Sequence, residues 1–290
     1  MVKQRVQTII SDYDGTLVPT ANVKTSRANT VASELEEILD KVSSDIPVCI
    51  ISTKDFQFLR NKTGFATMLS CMMGIETLVF RSQGSHRTIG KRLLHPDLQI
   101  LQRGSEALES IAEEIPSCKE FSHVRIECKH TSDGILAGLT LDWRHQLDND
   151  WSYYRRASNY FINRMVATLK KELVPTDIYV QKYSEHPFVD IYSAECNKGL
   201  AFDTVLSEIE HTPPDTKGAL YLGDSENDNP AFRKAGISIG IRSDPRLNPK
   251  LNCSYILNYK QLSSFLIDLR NNDYLFDEEL IREAKKHEQV

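Results

Sequence analysis

The apolar and polar positions of this chain follow two regimes. Near the start and again toward the end, short apolar runs alternate with stretches whose apolar residues recur at helical spacing. Val6–Ser11 and Pro47–Ser52 have the length and character of buried strands, and Leu78–Phe80 is a third extended segment. Between the first two, Val31, Leu35, Ile38 and Leu39 form one stripe, which predicts a helix over Thr30–Val42. A short helix is expected near Asp55–Asn61. From about Glu195 the alternation resumes with a helix over Lys198–Ile209, strand Ala219–Leu222 and a short helix near Pro230–Ala235. Strands Ile237–Ile241 and Ser254–Leu257 and a helix near Gln261–Leu269 follow, and the mixed-charge stretch Asp277–Lys286 reads as an exposed helix. Alternation of this kind implies a parallel sheet covered by helices.

The middle of the chain differs. Val124–His130 and Ile135–Trp143 flank Thr131-Ser132-Asp133-Gly134, and Asp-Gly between two extended runs signals a hairpin. Tyr154, Phe161, Met165 and Leu169 mark an amphipathic helix over about Asp150–Leu173. Two further extended runs, Ile178–Tyr183 and Phe188–Tyr192, are separated by Ser184-Glu185-His186-Pro187. Hairpin, helix, hairpin predicts an α+β unit with an antiparallel sheet. The expected organisation is one α/β core, residues 1–84 and 195–290, interrupted by an inserted cap at 85–194.

Composition narrows the function classes. The 40% apolar and 26% charged content over 290 residues is that of a globular protein with a sizeable core. A net charge of -5 argues against general nucleic-acid binding. It also means that an anionic substrate needs a local concentration of Lys, Arg and metal. No apolar run approaches the roughly 20 residues of a membrane span. Met1-Val2-Lys3-Gln4-Arg5 leads directly into the first strand, leaving no room for a signal peptide. Cys49, Cys71, Cys118, Cys128, Cys196 and Cys253 contain no Cys-x-x-Cys pair. They read as reduced thiols of a cytoplasmic protein without a zinc site.

The chemistry is carried by the ends of the apolar runs. The first run ends in Asp12-Tyr13-Asp14-Gly15-Thr16. Two carboxylates two residues apart at a strand end point the same way and repel, so they need a cation or a shared proton. Gly15 then lets the backbone turn beneath them. The second run ends in Ser52-Thr53-Lys54-Asp55; Asn197-Lys198-Gly199 opens a predicted helix; Ala219–Leu222 runs into Gly223-Asp224-Ser225-Glu226-Asn227-Asp228. Alone, each has an ordinary explanation as a turn, a helix cap or a surface lysine.

Together and in this order, the four pieces resemble the four motifs of the haloacid dehalogenase (HAD) superfamily of phosphohydrolases. The resemblance implies a Rossmann-like parallel-sheet core with an inserted α+β cap of the C2 type. It implies that Asp12 attacks phosphorus, that Asp14 acts as general acid and base, and that Ser52 and Lys198 hold the phosphoryl group. Mg²⁺ would be bound by Asp12, Asp224 and the backbone carbonyl of Asp14, with Asp228 in support. The cap looks most like those of sugar-phosphate phosphatases acting on trehalose, sucrose and mannosyl-phosphoglycerate. Glu127-Cys128-Lys129 followed by Leu141-Asp142-Trp143-Arg144, Asp190 before Asn197-Lys198-Gly199, and Ser52-Thr53-Lys54 carry that closer match. Asp224-Ser225 departs from the paired Asp usual in trehalose phosphatases, which leaves the sugar open. Lys54, Glu127, Lys129 and Lys182 are the residues expected to contact the substrate, with Glu185, Arg144 and His145 behind them. A phosphomannomutase-like phosphotransferase and a non-catalytic sugar-phosphate-binding regulator are the other readings of the same scaffold. No nucleic-acid or membrane partner is expected, and the oligomeric state is not addressed by the sequence.

Overall fold

The computed structural model describes residues 3–19, 29–83, 86–117, 121, 124–143, 163, 166–168, 171, 178–183, 188–209, 216–243 and 248–286. The chain divides into two compact units. Met1–Thr53, Phe58–Leu93 and Asn197–Val290 form one; Lys54–Gln57 and Leu94–Cys196 form the other.

The first unit begins with β1 (Gln4–Arg5), β2 (Thr8–Ser11), α1 (Ser33–Ser43), β3 (Val48–Ile51), β4 (Met68–Cys71), β5 (Glu76–Gln83) and β6 (His86–Leu94). The short α2 (Phe56–Leu59) lies between β3 and β4. The second unit contributes α3 (Leu98–Glu114), β7 (Arg125–His130), β8 (Leu136–Asp142), β9 (Tyr179–Lys182) and β10 (Phe188–Tyr192). The chain then returns through α4 (Lys198–Glu208), β11 (Ala219–Gly223), α5 (Asn229–Phe232), β12 (Ile237–Arg242), β13 (Tyr255–Asn258), α6 (Leu262–Asn271), β14 (Leu275–Phe276) and α7 (Glu278–Lys286).

The large sheet of the first unit has the order β13-β12-β11-β2-β3-β4-β5-β6. Its strands from β13 to β4 run parallel, while β5 is antiparallel to β4. Every residue of β2, β3 and β11 is buried, which is the expected state of a parallel strand covered on both faces. On one face, Ala201, Phe202, Val205 and Leu206 of α4 pack against Ile10, Cys49, Ile51, Met68 and Tyr221. Helix α1 buries Leu35, Ile38, Leu39 and Val42, one stripe at helical spacing. The ends of the chain close on each other where β1 pairs with β14.

Among the described residues, the elements expected from sequence are present with boundary shifts of a few residues, and the differences are informative. Strand β4 and the strand extension β5–β6 were not expected; the isolated segment Leu78–Phe80 lies inside β5, which is antiparallel. The core boundary expected at residue 84 therefore falls within the β5–β6 region, and the first unit continues to Leu93. The C-terminal helix is not simply exposed: Leu280 and Ile281 are buried. Helix α3 was also unexpected. Its buried face carries Leu101, Gly104, Ser105, Leu108 and Ile111, and the two small residues interrupt the apolar stripe. Gly104 is small because the helix runs close to its neighbour there, where an added Cβ would lie 2.4 Å from the Ser193 carbonyl oxygen. Asp97 caps α3 by accepting from the backbone of Gln99 and Ile100 at 3.0 and 3.1 Å. The helix expected over Asp150–Leu173 and the turn at Ser184–Pro187 lie largely outside the described residues.

The second unit is a four-stranded antiparallel sheet, β7-β8-β10-β9, with α3 against one face. That face is apolar: Leu139, Leu141, Val189 and Ile191 pack with Leu108, Ile111, Ile115 and Phe121. The opposite face is polar and centred on Asp190. Its carboxylate accepts from Lys129 Nζ at 2.8 Å, Tyr183 Oη at 2.6 Å, Tyr192 Oη at 3.2 Å and the Thr140 hydroxyl. Lys129 and Asp190 are 2% and 1% exposed, so the pair is out of water. Burial alone would raise the Asp190 carboxyl; the Lys129 charge and the converging donors outweigh it and hold the group below its ordinary value.

This pair makes the sheet sensitive to loss of one partner. Asp190→Ala leaves an uncompensated buried ammonium and is expected to destabilise the second unit by about 3–5 kcal/mol. Because the folded carboxyl is depressed, its contribution is complete above the ordinary aspartate value of about 3.9 and is lost as pH falls through the folded value. Lys129→Met combined with Asp190→Leu should remove that acid sensitivity. Denaturation midpoints of the parent and the two variants between pH 3 and 7 check this, and an Asp190→Ala protein as stable as the parent would refute it.

Candidate active site

The site grows from the carboxyl ends of β2, β3 and β11, neighbours in the parallel part of the sheet. After Ser11 the chain continues in register for one residue, Asp12 N–H donating to Leu222 O at 2.9 Å, and then turns. Leu17 and Val18 donate to Tyr13 O, and Gly15 donates to Val18 O at 2.7 Å. Gly15 adopts φ +86°, a conformation natural only to glycine. A Cβ there would lie 1.9 Å from Asp224 Oδ2, so the residue is fixed by space as well as by backbone. Tyr13 is buried; its hydroxyl donates to Asn29 O at 2.8 Å. Asp14 Oδ1 is buried without a hydrogen-bond partner.

Lys198 is the first residue of α4, behind the cap formed by Asn197, whose side chain accepts from Gly199 and Leu200 at 2.9 and 3.0 Å. A cation at a helix N-terminus opposes the helix dipole, so its place there needs compensation. Two carboxylates supply it. Lys198 Nζ lies 2.9 Å from Asp12 Oδ1 and 2.7 Å from Asp228 Oδ1, and the side chain is fully buried. Asp228 accepts more widely: Tyr221 Oη at 2.7 Å on Oδ1, and the backbone N–H of Asp224 and Ser225 with the Ser225 hydroxyl on Oδ2, at 3.1, 3.0 and 3.2 Å. Five donors occupy its two oxygens. Asp228 thus holds other residues in place.

Carboxylate oxygens of Asp12, Asp224 and Asp228 lie within 4.8 Å of one another. Three carboxylates around one ammonium leave a local negative excess in a buried place. Burial first, then repulsion from Asp228 and Asp14, pushes Asp12 up to about 7 against the opposing pull of Lys198. Asp224 is raised well above its usual range by burial and by Asp12 and Asp228. Burial would lower the Lys198 ammonium, but the two carboxylates raise it, so it stays charged. The donor set is oxygen only, Asp12 and Asp224 repel, and Asp14 keeps an unpartnered oxygen; these residues fit a hard divalent cation.

Ser52 follows β3 and is buried. Its backbone is held on both sides: its N–H donates to Ser70 O at 3.0 Å, and its C=O accepts from Met73 N–H at 2.9 Å. Met73 belongs to a turn with three consecutive positive φ values, Met72 at 50°, Met73 at 55° and Gly74 at 105°. Two non-glycine residues in the left-handed region are a local strain, each of order 1–3 kcal/mol. Gly74 lies against Ala201 of α4, where an added Cβ would come within 3.1 Å of that methyl group. The strained turn therefore links the Ser52 backbone to the helix that begins with Lys198.

In the second unit Lys54 and Glu127 form an ion pair at 3.0 Å, with Glu127 half-exposed. Register places Glu127, Lys129 and Asp190 on one sheet face. Lys182 is not with them. It pairs with Val189, whose side chain belongs to the helix-covered face, and its Nζ donates to Asn163 at 2.7 Å. The grouping of Lys182 with Glu127 and Lys129 is thus corrected: the strand's register, not its composition, decides the face. Lys129, expected to contact the substrate, is buried against Asp190, which takes its ammonium. Glu185, Arg144 and His145 lie outside the described residues.

Sequence reasoning did not single out Tyr221 or Thr16. Thr16 is fully buried and donates to Asp224 Oδ1 at 3.4 Å. Its signal was the short hydroxyl beside the carboxylate pair. Tyr221 lay hidden in an apolar run.

No family model matches the chain, and no curated protein matches it. Solved structures do. The C-terminal domain of trehalose-6-phosphate phosphatase from C. albicans superposes with a TM-score of 0.62 at 20% identity, covering 92% of this chain and 93% of that one. A phosphatase of the HAD superfamily from Bacteroides thetaiotaomicron gives 0.56 at 13% identity, over 92% and 95%. A HAD subclass IIB sugar phosphatase gives 0.52 at 12%, over 93% and 100%. At these identities the likeness is one of fold: the chain has the α/β fold of the HAD phosphatases, as its motifs led one to expect. Among the described residues no helix is long and apolar enough to cross a membrane.

The clash at Gly15 gives a direct test of the acidic cluster. Gly15→Ala should leave the far-UV spectrum unchanged, because the site is at a strand end, yet displace Asp224. Divalent-cation binding measured by calorimetry should weaken at least tenfold, about 1.4 kcal/mol. Unchanged cation affinity would show that Gly15 and Asp224 do not constrain each other.

Proposed function

We propose that this chain is a Mg²⁺-dependent phosphatase that hydrolyses a phosphorylated sugar or sugar derivative through an aspartyl-phosphate on Asp12. The observation that carries the reading is Asp12 itself. It is a buried carboxylate at a strand end, held by Lys198 at 2.9 Å, with a second carboxylate two residues on that keeps one oxygen unpartnered.

Asp12 Oδ attacks phosphorus in line with the ester oxygen, and the P–O bond to the sugar breaks as the new O–P bond forms. Asp14 gives its proton to the departing oxygen, so the sugar leaves as a neutral alcohol. Asp14, now a carboxylate, takes a proton from water, and the water oxygen attacks phosphorus. Inorganic phosphate departs, Asp12 is regenerated and Asp14 is again protonated. Lys198 neutralises charge on the phosphoryl oxygens throughout, and Ser52 donates a hydrogen bond to one of them. Mg²⁺ would be held by Asp12, Asp224 and the backbone carbonyl of Asp14, and would supply charge neutralisation on the phosphoryl group. Asp228 orients Lys198 and the Asp224 backbone.

The sugar is supported by the solved structures of similar fold, two of which are phosphatases of trehalose-6-phosphate and of sugars. In the second unit Glu127 offers an exposed carboxylate that a sugar hydroxyl would use, paired with the largely buried Lys54, and Lys129 with Asp190 stiffens the sheet face that carries Glu127.

Asp12→Asn is nearly isosteric and should fold, yet lose several orders of magnitude in turnover. EDTA should abolish activity, and added Mg²⁺ should restore it where Ca²⁺ does so poorly. A panel of phosphorylated sugars with released inorganic phosphate as readout tests the substrate class. Transfer of the phosphoryl group to a second sugar without phosphate release would instead favour a phosphotransferase, and near-normal activity of Asp12→Asn would overturn the mechanism.

A further inference from the structure

Strand β11 reads Ala219-Leu220-Tyr221-Leu222-Gly223, and its one polar side chain is wholly buried. Taking a hydroxyl out of water costs free energy unless the group is bonded, and phenylalanine would fill nearly the same space without that cost. Tyr221 Oη meets Asp228 Oδ1 at 2.7 Å. Its ring is fixed edge-on by Phe202 of α4, with centroids 6.1 Å apart, and by Phe232 of α5, at 5.4 Å. These two helices carry Lys198 and follow Asp228. The ring thus touches both elements whose charges meet at Asp228.

Asp228 Oδ1 accepts at 2.7 Å from Tyr221 and at 2.7 Å from Lys198. A hydroxyl on one lone pair confines the ammonium to the other, and the ammonium's remaining reach is toward Asp12 Oδ1 at 2.9 Å. Without the hydroxyl, the whole of Asp228 Oδ1 would attract Lys198. In a buried site that attraction is strong, and it would draw the ammonium away from Asp12. We infer that Tyr221 is a positioning residue of the reaction. Through Asp228 it sets where the Lys198 ammonium stands between Asp228 and the phosphoryl acceptor Asp12. The inference rests on the reading of Asp12 and Lys198 as phosphoryl-transfer residues. Burial and the Asp228 charge keep the phenol protonated, so it remains a donor.

The test is Tyr221→Phe, which removes only the oxygen. Its kcat and KM are measured with a small aryl phosphate. The dissociation constant of beryllofluoride, a mimic of the phosphoryl group on aspartate, is measured by calorimetry with Mg²⁺ present. The expected result is a kcat lower by about tenfold or more, KM within about threefold, and beryllofluoride binding weaker by about tenfold. Val205→Ala, a cavity in the same core, should lower the melting temperature and leave kcat of the folded protein unchanged. Adding Tyr221→Phe to an Asp228→Asn background should cost less than about twofold, because the route through Asp228 is already broken. A folded Tyr221→Phe protein with parental kcat and beryllofluoride affinity overturns the inference. So does an equal loss in the Asp228→Asn background. A Tyr221→Phe chain that does not fold assigns the hydroxyl to stability and overturns it as well. If the parent protein itself neither turns over the ester nor binds beryllofluoride, the phosphatase reading fails, and the positioning role falls with it.

Discussion

The site depends on one shared carboxylate. Asp228 gathers the Lys198 ammonium, the Tyr221 hydroxyl, and the backbone and hydroxyl donors of the Asp224–Ser225 turn. Remove it, and three things lose their reference at once: the lysine, the loop that carries Asp224, and the strand end beneath them. A fully buried lysine is costly in isolation, and a buried carboxylate equally so. Their mutual contact offsets much of that cost only because the remaining lone pairs of Asp228 are also satisfied.

What the sheet adds is convergence. Parallel strands bring their carboxyl ends to one side, so residues far apart in sequence, Asp12, Ser52 and Asp224, meet without long connections. The backbone then yields where the side chains need room. Gly15 gives way to Asp224, Gly223 gives way to Asp228, and the left-handed Met72-Met73-Gly74 turn holds the Ser52 carbonyl while lying against α4. Strain here sits beside chemistry, in a part of the sheet where the surrounding buried strands can enforce it.

Much of this was legible in the sequence, for a physical reason. Asp12, Ser52 and Asp224 each end an apolar run, and a polar residue at the end of a buried strand is conspicuous against its neighbours. Lys198 was legible through the asparagine cap before it. The features that escaped share another cause: their meaning lies in partners distant along the chain. Helix α3 hid because Gly104 and Ser105 break its stripe, Gly104 letting Ser193 approach. Strand β4 hid because Met68–Cys71 is four residues long and carries no turn signal of its own. The face of Lys182 depended on pairing with Val189, since a shift of one residue reverses every side chain of a strand. Tyr221 looked like core, and its ring is core; only the position of Asp228 gives its oxygen a purpose.

Apart from the short excursion of Lys54–Gln57, the chain passes from the first unit to the second and back once, and these two crossings are unequal. The chain leaves the first unit after Leu93, at the close of an edge strand, and re-enters it at Asn197. That second crossing is a helix cap whose side chain is already committed to Gly199 and Leu200, one residue ahead of Lys198. In terms of modularity, the inserted unit is exchangeable at one seam and welded at the other. A chimera that grafts a foreign insert onto this scaffold has latitude in where it departs from the edge strand. At the return it must hand the chain back through an asparagine in extended conformation, or the lysine helix starts in the wrong place.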